Sequence, residues 1–361
     1  MIYFFSAEQK YRETPIPMIY GASWAGTESP VWTRTDAAAL FSNPNPYYAG
    51  MSGNPSSPFD NISPWKDMVI SEDSEAGTVV AIPKFYYKLD YANSSEPKGL
   101  KVQISEAPFE GALVSPAHMD RGDGAGERDV VYIGRYHCDT STKKSKTGVK
   151  PYVRATRSTM RSTIHNLGSK IWQMDFLTRF TIWLLYIVEF ANWDSQSCIG
   201  YGCGDNSAAG NIGYTDNMGY HTGTTQNNRT TYGLGTQYRN IEGLWDNVYD
   251  WIDGCYYDSN GLNVIAKPSD FSDSSGGSLI GLPTSGYPSK FTIKDGLFYP
   301  TESNGSQTTY SCDYWGYGAS YPCLCGGGDY SQYLDRGLFC VDGTSTSNSS
   351  ASRGCRLLKL P

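Results

Sequence analysis

The residue types that most often carry catalysis or bind metals are scattered along this chain of 361 residues. None of the four histidines has a second histidine four residues away, and no His/Glu pattern typical of zinc enzymes occurs. No Gly-x-Ser-x-Gly sequence predicts a nucleophilic serine on a strand-to-helix turn. The nine cysteines include no Cys-x-x-Cys pair. The sequence therefore predicts no catalytic residue, no metal site and no cofactor.

Three carboxylates are spaced closely enough to act together. Asp246, Asp250 and Asp253 could share one helical face, where they would bind calcium or exchange protons. The residues between them are mostly aromatic or aliphatic, namely Trp245, Val248, Tyr249, Trp251 and Ile252. That pattern favours a strand or turn that buries the apolar side chains and exposes the acids. Calcium remains the alternative for this cluster, and a Cys198–Cys203 disulfide remains the alternative to reduced cysteines.

The residues from 308 to 352, which we call the C-terminal segment, have a restricted composition. They include no Lys, Glu, Met, His or Ile and are rich in Tyr, Ser, Gly and Asp. Tyrosine provides rigid contact area in binding loops, and Ser, Gly and Asp provide adaptable hydrogen bonds. So many aromatic residues argue against a solvated linker. We predict that ligand is bound by Tyr310, Asp313, Tyr314, Tyr317, Tyr321, Tyr330, Tyr333, Asp335, Asp342, Ser345 and Asn348. Trp315, Gln332, Gly337 and Phe339 are predicted to be framework.

Strands and two helices must position this segment. β-branched and aromatic runs predict strands at 78–88, 99–105, 130–136, 261–266, 290–298 and 337–341. Helices are predicted at 154–166 and 174–192, with Gly168 after the first and Asp194 after the second. The order of strands, helices, a long loop and strands again indicates an α+β fold. The predicted core contains Phe176, Phe180, Trp183, Leu184, Ile187 and Trp251.

A change in composition near residue 74 predicts two modules. Residues 1–74 contain Asn-Pro and Gly-Asn-Pro turn sequences that interrupt regular structure, and 71–77 are acidic and polar. We predict a small β- and loop-rich docking module at 1–74 and a ligand-binding domain at 75–361. The net charge of −7 argues against nucleic acid as a partner. The longest apolar run, 180–188, is too short to span a membrane, and the first residues do not have the pattern of a signal peptide.

Three segments resemble one superfamily when taken in order. IGRYH at 133–137 resembles the strand that opens the C-type lectin-like domain of formylglycine-generating enzymes. GLWDNVYDW at 243–251 resembles their GNVWEW segment, and RGCR at 353–356 stands in the place of their terminal GFR strand. Within this superfamily, the variable proteins of diversity-generating retroelements end in a Tyr/Ser/Asp/Gly-rich region followed by a fixed strand, as this chain does. IPKFYYK, IHNLG, FANW and GCRLL further resemble variable tail proteins of bacteriophages.

The resemblance implies a C-type lectin-like fold and a receptor-binding role on a phage tail or fibre tip. It implies a host cell-surface protein or glycan as ligand, other virion tail proteins as partners of the N-terminal module, and assembly as a homotrimer. The enzymes of the superfamily use a cysteine pair that binds copper, and their ergothioneine-type relatives use three histidines around iron. Cys323 and Cys325 are two residues apart, and no such histidine set is present. We therefore expect no enzyme; the alternatives are a structural virion component and a formylglycine-generating-type oxidase.

Overall fold

A computed structural model describes residues 17–203, 206–332 and 334–361. These residues form a β-rich fold with few helices. The helices are α1 Arg157–His165, α2 Phe176–Phe190 and α3 Ser195–Cys198, with short 3₁₀ turns at Trp65–Asp67 and Pro268–Asp270. Of the residues predicted to bind ligand, Tyr333 lies outside the described residues, and so do the first 16 residues of the predicted docking module.

The strands follow one another through most of the chain. Those before α2 are β1 Tyr20–Trp24, β2 Thr33–Asp36, β3 Tyr47–Tyr48, β4 Ile70–Asp73, β5 Gly77–Pro83, β6 Tyr86–Asp90, β7 Leu100–Ser105, β8 Leu113–Val114, β9 Val130–Gly134 and β10 Ile171–Gln173. Those after it are β11 Gly223–Thr224, β12 Thr236–Tyr238, β13 Ile241–Glu242, β14 Tyr249–Ile252, β15 Cys255–Asp258, β16 Gly261–Val264, β17 Ser278–Gly281, β18 Lys290–Lys294, β19 Leu297–Glu302, β20 Cys323–Gly326, β21 Val341–Thr344, β22 Arg353–Gly354 and β23 Leu357–Lys359.

These strands form several small sheets rather than one large one. Two five-stranded sheets have the orders β2-β1-β7-β6-β8 and β10-β23-β9-β5-β4. Two four-stranded sheets have the orders β13-β12-β11-β3 and β21-β20-β14-β22. The strands β15-β16-β17 and the hairpin β18-β19 complete the set. The run predicted as one strand at 78–88 divides into β5 and β6, which belong to different sheets, and the strand predicted at 337–341 begins only at Val341.

Helix α2 is the centre of the hydrophobic core. Asp175 caps its N-terminus, where a carboxylate oxygen accepts the Thr178 N–H at 2.8 Å. All fifteen residues of the helix are buried, which is typical of a helix that is apolar on every side. The helix ends at Ala191, whose left-handed φ of 49° turns the chain away. The six predicted core residues, five of them from this helix, are all buried. No helix among the described residues has the length and apolar character needed to cross a membrane.

Residues 17–74 share their sheets and core with the rest of the chain. β1 pairs with β7, β4 pairs with β5, and β3 pairs with β11. Trp24, Trp32, Phe59 and Trp65 are buried in the same cluster as helix α2. The boundary predicted after residue 74 therefore does not separate two hydrophobic cores. The turn-rich composition of 1–74 indicated a separate module. Composition does not reveal where the tryptophans between those turns pack, and they pack in the same cluster as helix α2.

Candidate ligand-binding surface

The C-terminal segment is fastened to the core by its apolar residues. Trp315, Leu338, Phe339 and Val341 are buried in the cluster around helix α2. The Leu338 carbonyl accepts hydrogen bonds from the Trp183 indole at 2.8 Å and from Arg179 at 2.9 Å. Trp315 and Phe339 therefore occupy the framework role predicted for them. With these residues anchored inside, most of the predicted ligand-binding side chains lie half-buried or exposed at the surface.

Tyr314 and Asp342 meet at one edge of the sheet β21-β20-β14-β22. The Gly316 N–H donates to the Val341 carbonyl at 2.7 Å, and the Val341 N–H donates to the Tyr314 carbonyl at 3.2 Å. These bonds lay residues 314–316 alongside β21. A side chain at position 316 would collide with the Asp342 carboxylate, 2.4 Å from the added carbon. The glycine thus leaves room for the Asp342 carboxylate next to residue 316.

Arginine and aromatic side chains alternate from the half-buried Tyr314 inward to the buried Tyr249 and Trp251, in a set that we call the cation–π ladder. Arg336 lies 5.6 Å from the Tyr314 ring centre and 5.4 Å from that of Tyr249. Arg353 lies 5.5 Å from Tyr249 and 5.9 Å from Trp251. Each such contact contributes about 0.5–1 kcal/mol at an exposed site and more where water is excluded. The ladder therefore holds Tyr314 in place against β14 and β22.

Two polar atoms of the ladder are buried without a hydrogen-bond partner among the described residues. They are the Tyr249 hydroxyl and Arg353 Nε. Burial holds the pKa of Tyr249 well above its usual range, so its hydroxyl keeps its proton. Arg336 has partners: Nε lies 3.1 Å from the Gln332 side-chain oxygen and 3.5 Å from the Asp335 carboxylate. Asp335, Asp342 and Tyr314 are thus the predicted residues that lie around one group of arginines.

The sequence prediction missed Arg336, Arg353 and Tyr249. Arg336 is the one basic residue in the C-terminal segment, which is a signal that could have identified it. Arg353 and Tyr249 gave no comparable signal, because both stand in segments taken as fixed strands. Their proximity arises from the parallel pairing of β14 with β22, which places Tyr249 opposite Arg353. That pairing joins residues about a hundred positions apart.

Tyr317 and Tyr321 lie near each other at a second place on the surface. The Tyr317 hydroxyl donates to the Asp258 carbonyl at 2.8 Å, and its ring packs edge-on against Tyr257 at 5.1 Å. Tyr321 is 53% exposed, and its carbonyl is 3.1 Å from where a side chain at Gly343 would begin. Tyr317 is therefore fixed in position, and Tyr321 is the most accessible aromatic residue among those that the structure describes in this segment.

The remaining predicted residues are dispersed. Tyr330 is half-buried, and its N–H donates to the Asn247 carbonyl at 3.1 Å. Ser345 and Asn348 form a turn between β21 and β22, in which the Asn348 amide donates to Thr344 Oγ1 at 2.9 Å. Tyr310 packs edge-on against Trp24 at 6.4 Å, on another side of the segment. The structure therefore does not gather all the predicted residues into one site.

Asp313 was predicted to face the ligand, and this prediction is wrong. Its side chain is 3% exposed. A carboxylate oxygen accepts the Phe339 N–H at 2.8 Å, and Gly337 leaves room for the carboxyl group, which is 2.3 Å from where a side chain would begin. Burial holds the pKa of Asp313 well above its usual range. Asp313 therefore fixes the turn at 337–340 and is framework.

Replacing Asp313 with asparagine is expected to leave ligand binding unchanged and to remove a pH dependence of stability. A buried carboxyl with a raised pKa keeps its proton in the folded chain, while the unfolded chain loses it above about pH 4. The free energy of unfolding of the parent chain thus falls as the pH rises from there toward the raised pKa. Urea denaturation from pH 4 to pH 8 measures this slope. A variant with the parent's slope would contradict the assignment.

The three segments that carry the superfamily resemblance converge on one buried guanidinium. Arg356, which is 0% exposed, donates to the carbonyls of Gly134 and Arg135, both at 3.0 Å. It also donates to the carbonyls of Glu242 at 2.7 Å and Gly243 at 3.2 Å, and to the Asp250 carboxylate at 3.1 Å. A single side chain therefore ties β9, the segment at 243–251 and the last strands together beneath the ligand-binding surface.

The alternatives for the aspartates and cysteines do not fit the geometry. Asp246 accepts hydrogen bonds from Tyr214 and Thr236, Asp250 from Arg356, and Asp253 from Arg161 at 2.7 Å. The three carboxylates are buried and face different partners, so they do not form the calcium site left open by their spacing; among the described residues no cluster of metal-ligating side chains occurs. Cys198 and Cys203 are both free thiols.

No protein-family model and no curated protein matches the chain. Among solved structures it is similar to PvdO from Pseudomonas aeruginosa, at a TM-score of 0.37 and 10% sequence identity. The similarity covers 82% of this chain and 99% of that one.

Proposed function

We propose that this chain is a ligand-binding protein with a C-type lectin-like fold, which displays its C-terminal segment to a receptor on a host cell. One observation carries the proposal. The segment of restricted composition buries its framework residues around helix α2 and leaves Tyr314, Tyr321, Asp335 and Asp342 at the surface. Loops held by a fixed scaffold can change their side chains with little loss of stability.

The convergence on Arg356 supports the fold assignment. Three segments chosen for their resemblance to one superfamily come from distant parts of the sequence, yet the buried side chain of Arg356, in the third, contacts the other two. Such a shared contact is the kind of constraint that would keep the three motifs together. The final strand, β23, also pairs with β9, which begins just before the first motif.

The cation–π ladder supports binding rather than a passive surface. Tyrosine and arginine are enriched among the residues that dominate binding energies, especially where their positions are fixed before the ligand arrives. Tyr314 meets this description because Arg336 and Tyr287 both pack on its ring, the latter edge-on at 5.6 Å. A ligand placed there would contact Tyr314, Asp335 and Asp342.

The setting that we propose is the tail or fibre tip of a bacteriophage. The ligand would be a host cell-surface protein or glycan, and residues 1–74 would contact other virion tail proteins. A homotrimer would present three copies of the surface, and avidity would then compensate for weak single sites. The alternative of a structural virion component predicts that no side chain of the segment affects attachment to cells.

Replacing Tyr314 with alanine is expected to weaken attachment to receptive bacteria roughly tenfold or more, because the variant loses an anchor of the ladder. Flow cytometry of the labelled protein on a panel of bacterial strains measures this. Tyr48→Ala is the matched control, since Tyr48 makes the same kind of contact with Arg229, at 5.7 Å, outside the segment. Equal attachment by all three proteins would favour the structural role. Copper-dependent oxidation of a cysteine peptide would instead identify the oxidase.

A further inference from the structure

A second concave site lies beside the C-terminal segment, away from the cation–π ladder. Its volume is about 600 Å³. Its walls come from the loop between β6 and β7, from the ends of the hairpin β18–β19, and from Tyr310. Besides Tyr310, the lining side chains that carry charge or polar groups are Ser95, Glu96, Lys98, Ser289, Lys290, Glu302 and Asn304.

Two walls of the cavity are held together where the backbone at Gly26 closely approaches the backbone at Gly99. A side chain at Gly26 would begin 2.8 Å from the Gly99 nitrogen, and one at Gly99 would begin 2.0 Å from the Trp24 carbonyl. Both residues also have a left-handed φ, of 69° and 65°. The loop from β6 to β7 is thus pressed against the start of the β1–β2 connection, and the cavity is formed before a ligand binds.

Tyr310 is the aromatic wall of the cavity, and its position is enforced. Its φ of 58° lies in the left-handed region, which non-glycine residues rarely adopt. The Tyr310 N–H donates to the Glu28 carbonyl at 2.7 Å, and its ring packs at 84° against Trp24, which is 1% exposed. Backbone strain of this kind persists where the surroundings fix it, and it concentrates at binding sites.

The walls carry two positive and two negative side chains, so their charges sum to zero. Glu96 and Glu302 supply acceptors, and Lys98 and Lys290 supply donors. Lys290 and Glu302 pair at 2.9 Å, with 44% and 51% of their side chains exposed, so both keep free hydrogen-bonding capacity toward the cavity. Asn304 adds an amide, and its backbone N–H is held by Ser289 Oγ at 3.1 Å. An anion would meet two carboxylates, and a cation would meet two ammonium groups.

We propose that this cavity binds a neutral saccharide without a metal ion. Each sugar hydroxyl both donates and accepts a hydrogen bond, which matches a lining that holds both donors and acceptors. The C–H face of a pyranose ring would pack on Tyr310, as apolar groups do on aromatic side chains. The site rests on the function proposed above, because it would make a cell-surface glycan the ligand, or part of it. It lies apart from Tyr314, so the two sites can be tested separately.

The test is binding of the full-length chain to a printed array of neutral and acidic oligosaccharides, with EDTA present. Neutral members are expected to bind, and Tyr310→Ala and Glu302→Gln are each expected to weaken that binding roughly tenfold. Tyr48→Ala is the control, since it removes a half-buried tyrosine that lies outside both the cavity and the C-terminal segment. The thermal transition of each variant shows whether it is folded; Glu302 is exposed, so its variant keeps the test valid if Tyr310→Ala unfolds.

Three outcomes would overturn the saccharide site: no binding to any neutral member, binding to acidic members alone, or equal weakening by Tyr48→Ala. Attachment to bacteria separates this failure from failure of the proposed function. A chain that attaches to bacteria through Tyr314 but binds no neutral saccharide would disprove the site and leave the function standing. A chain that binds saccharides through Tyr310 but attaches to no strain would establish the site and disprove the receptor-binding role.

Discussion

Replacing Arg356 with methionine is expected to lower the free energy of unfolding by about 3–5 kcal/mol, the usual cost of removing one partner from a buried ion pair. The variant leaves the Asp250 carboxylate, which is 1% exposed, without its guanidinium. It also removes donors from the carbonyls of Gly134, Arg135, Glu242 and Gly243. Methionine fills similar space but donates no hydrogen bond, so the loss reports the polar contacts rather than a cavity.

Urea denaturation followed by tryptophan fluorescence measures this loss. Arg154→Met is the matched control, because Arg154 is exposed and its backbone N–H, which the substitution leaves in place, donates to the Ser350 carbonyl at 3.2 Å. Its free energy of unfolding should change by less than about 0.5 kcal/mol, as is usual for surface positions. Combining Arg356→Met with Asp250→Asn should recover part of the loss, because the unpaired charge is then removed. An Arg356→Met protein as stable as the control would show that the three motifs do not depend on this contact.

The sequence predicted the helices and the core well because their signals are local. A long apolar run bounded by Asp175 and Asn192 indicates a buried helix, and α2 is that helix. Some framework residues of the C-terminal segment can also be predicted from the sequence. Trp315 and Phe339 are large apolar residues that favour burial, and both are buried. These features follow from residue type and spacing along a short stretch.

The errors concern contacts between distant segments. Asp313 was assigned to the ligand-binding surface by its residue type, like the other Tyr and Asp residues of the segment. Nothing near it in the sequence indicates that its carboxylate accepts the Phe339 N–H. Arg353 joins the cation–π ladder because β22 pairs with β14, and the sequence gives no sign of that pairing. Likewise the pocket at Tyr310 combines three loops that are far apart in the chain. Which side chains come together in a site depends on such contacts between distant segments, and the composition of one segment does not reveal them.

The chain cut to residues 75–361 is expected not to fold. Removing residues 17–74 takes away β1, β2, β3 and β4 together with the buried Trp24, Trp32, Phe59 and Trp65. Truncating a single buried Trp or Phe to alanine costs about 3–5 kcal/mol. A whole domain is stable by about 5–15 kcal/mol, so losing four such residues should exceed the total. The cut chain should also lose the bond from Ser57 to Glu189, a buried carboxylate in α2, at 2.7 Å.

Near-UV circular dichroism and limited proteolysis of the cut chain measure this outcome. A full-length Trp65→Ala variant is the companion, since its indole donates to the Leu185 carbonyl at 3.1 Å and packs on Phe59 at 4.5 Å. It should unfold in one transition at a lower urea concentration than the parent chain. Its free energy of unfolding should be lower by about 3–5 kcal/mol. Native near-UV signals from the cut chain, or two separate transitions in the Trp65→Ala variant, would show that residues 75–361 fold on their own, as the boundary predicted after residue 74 implies. One shared transition would mean that any docking surface on residues 17–74 is held by the same core as the ligand-binding surface.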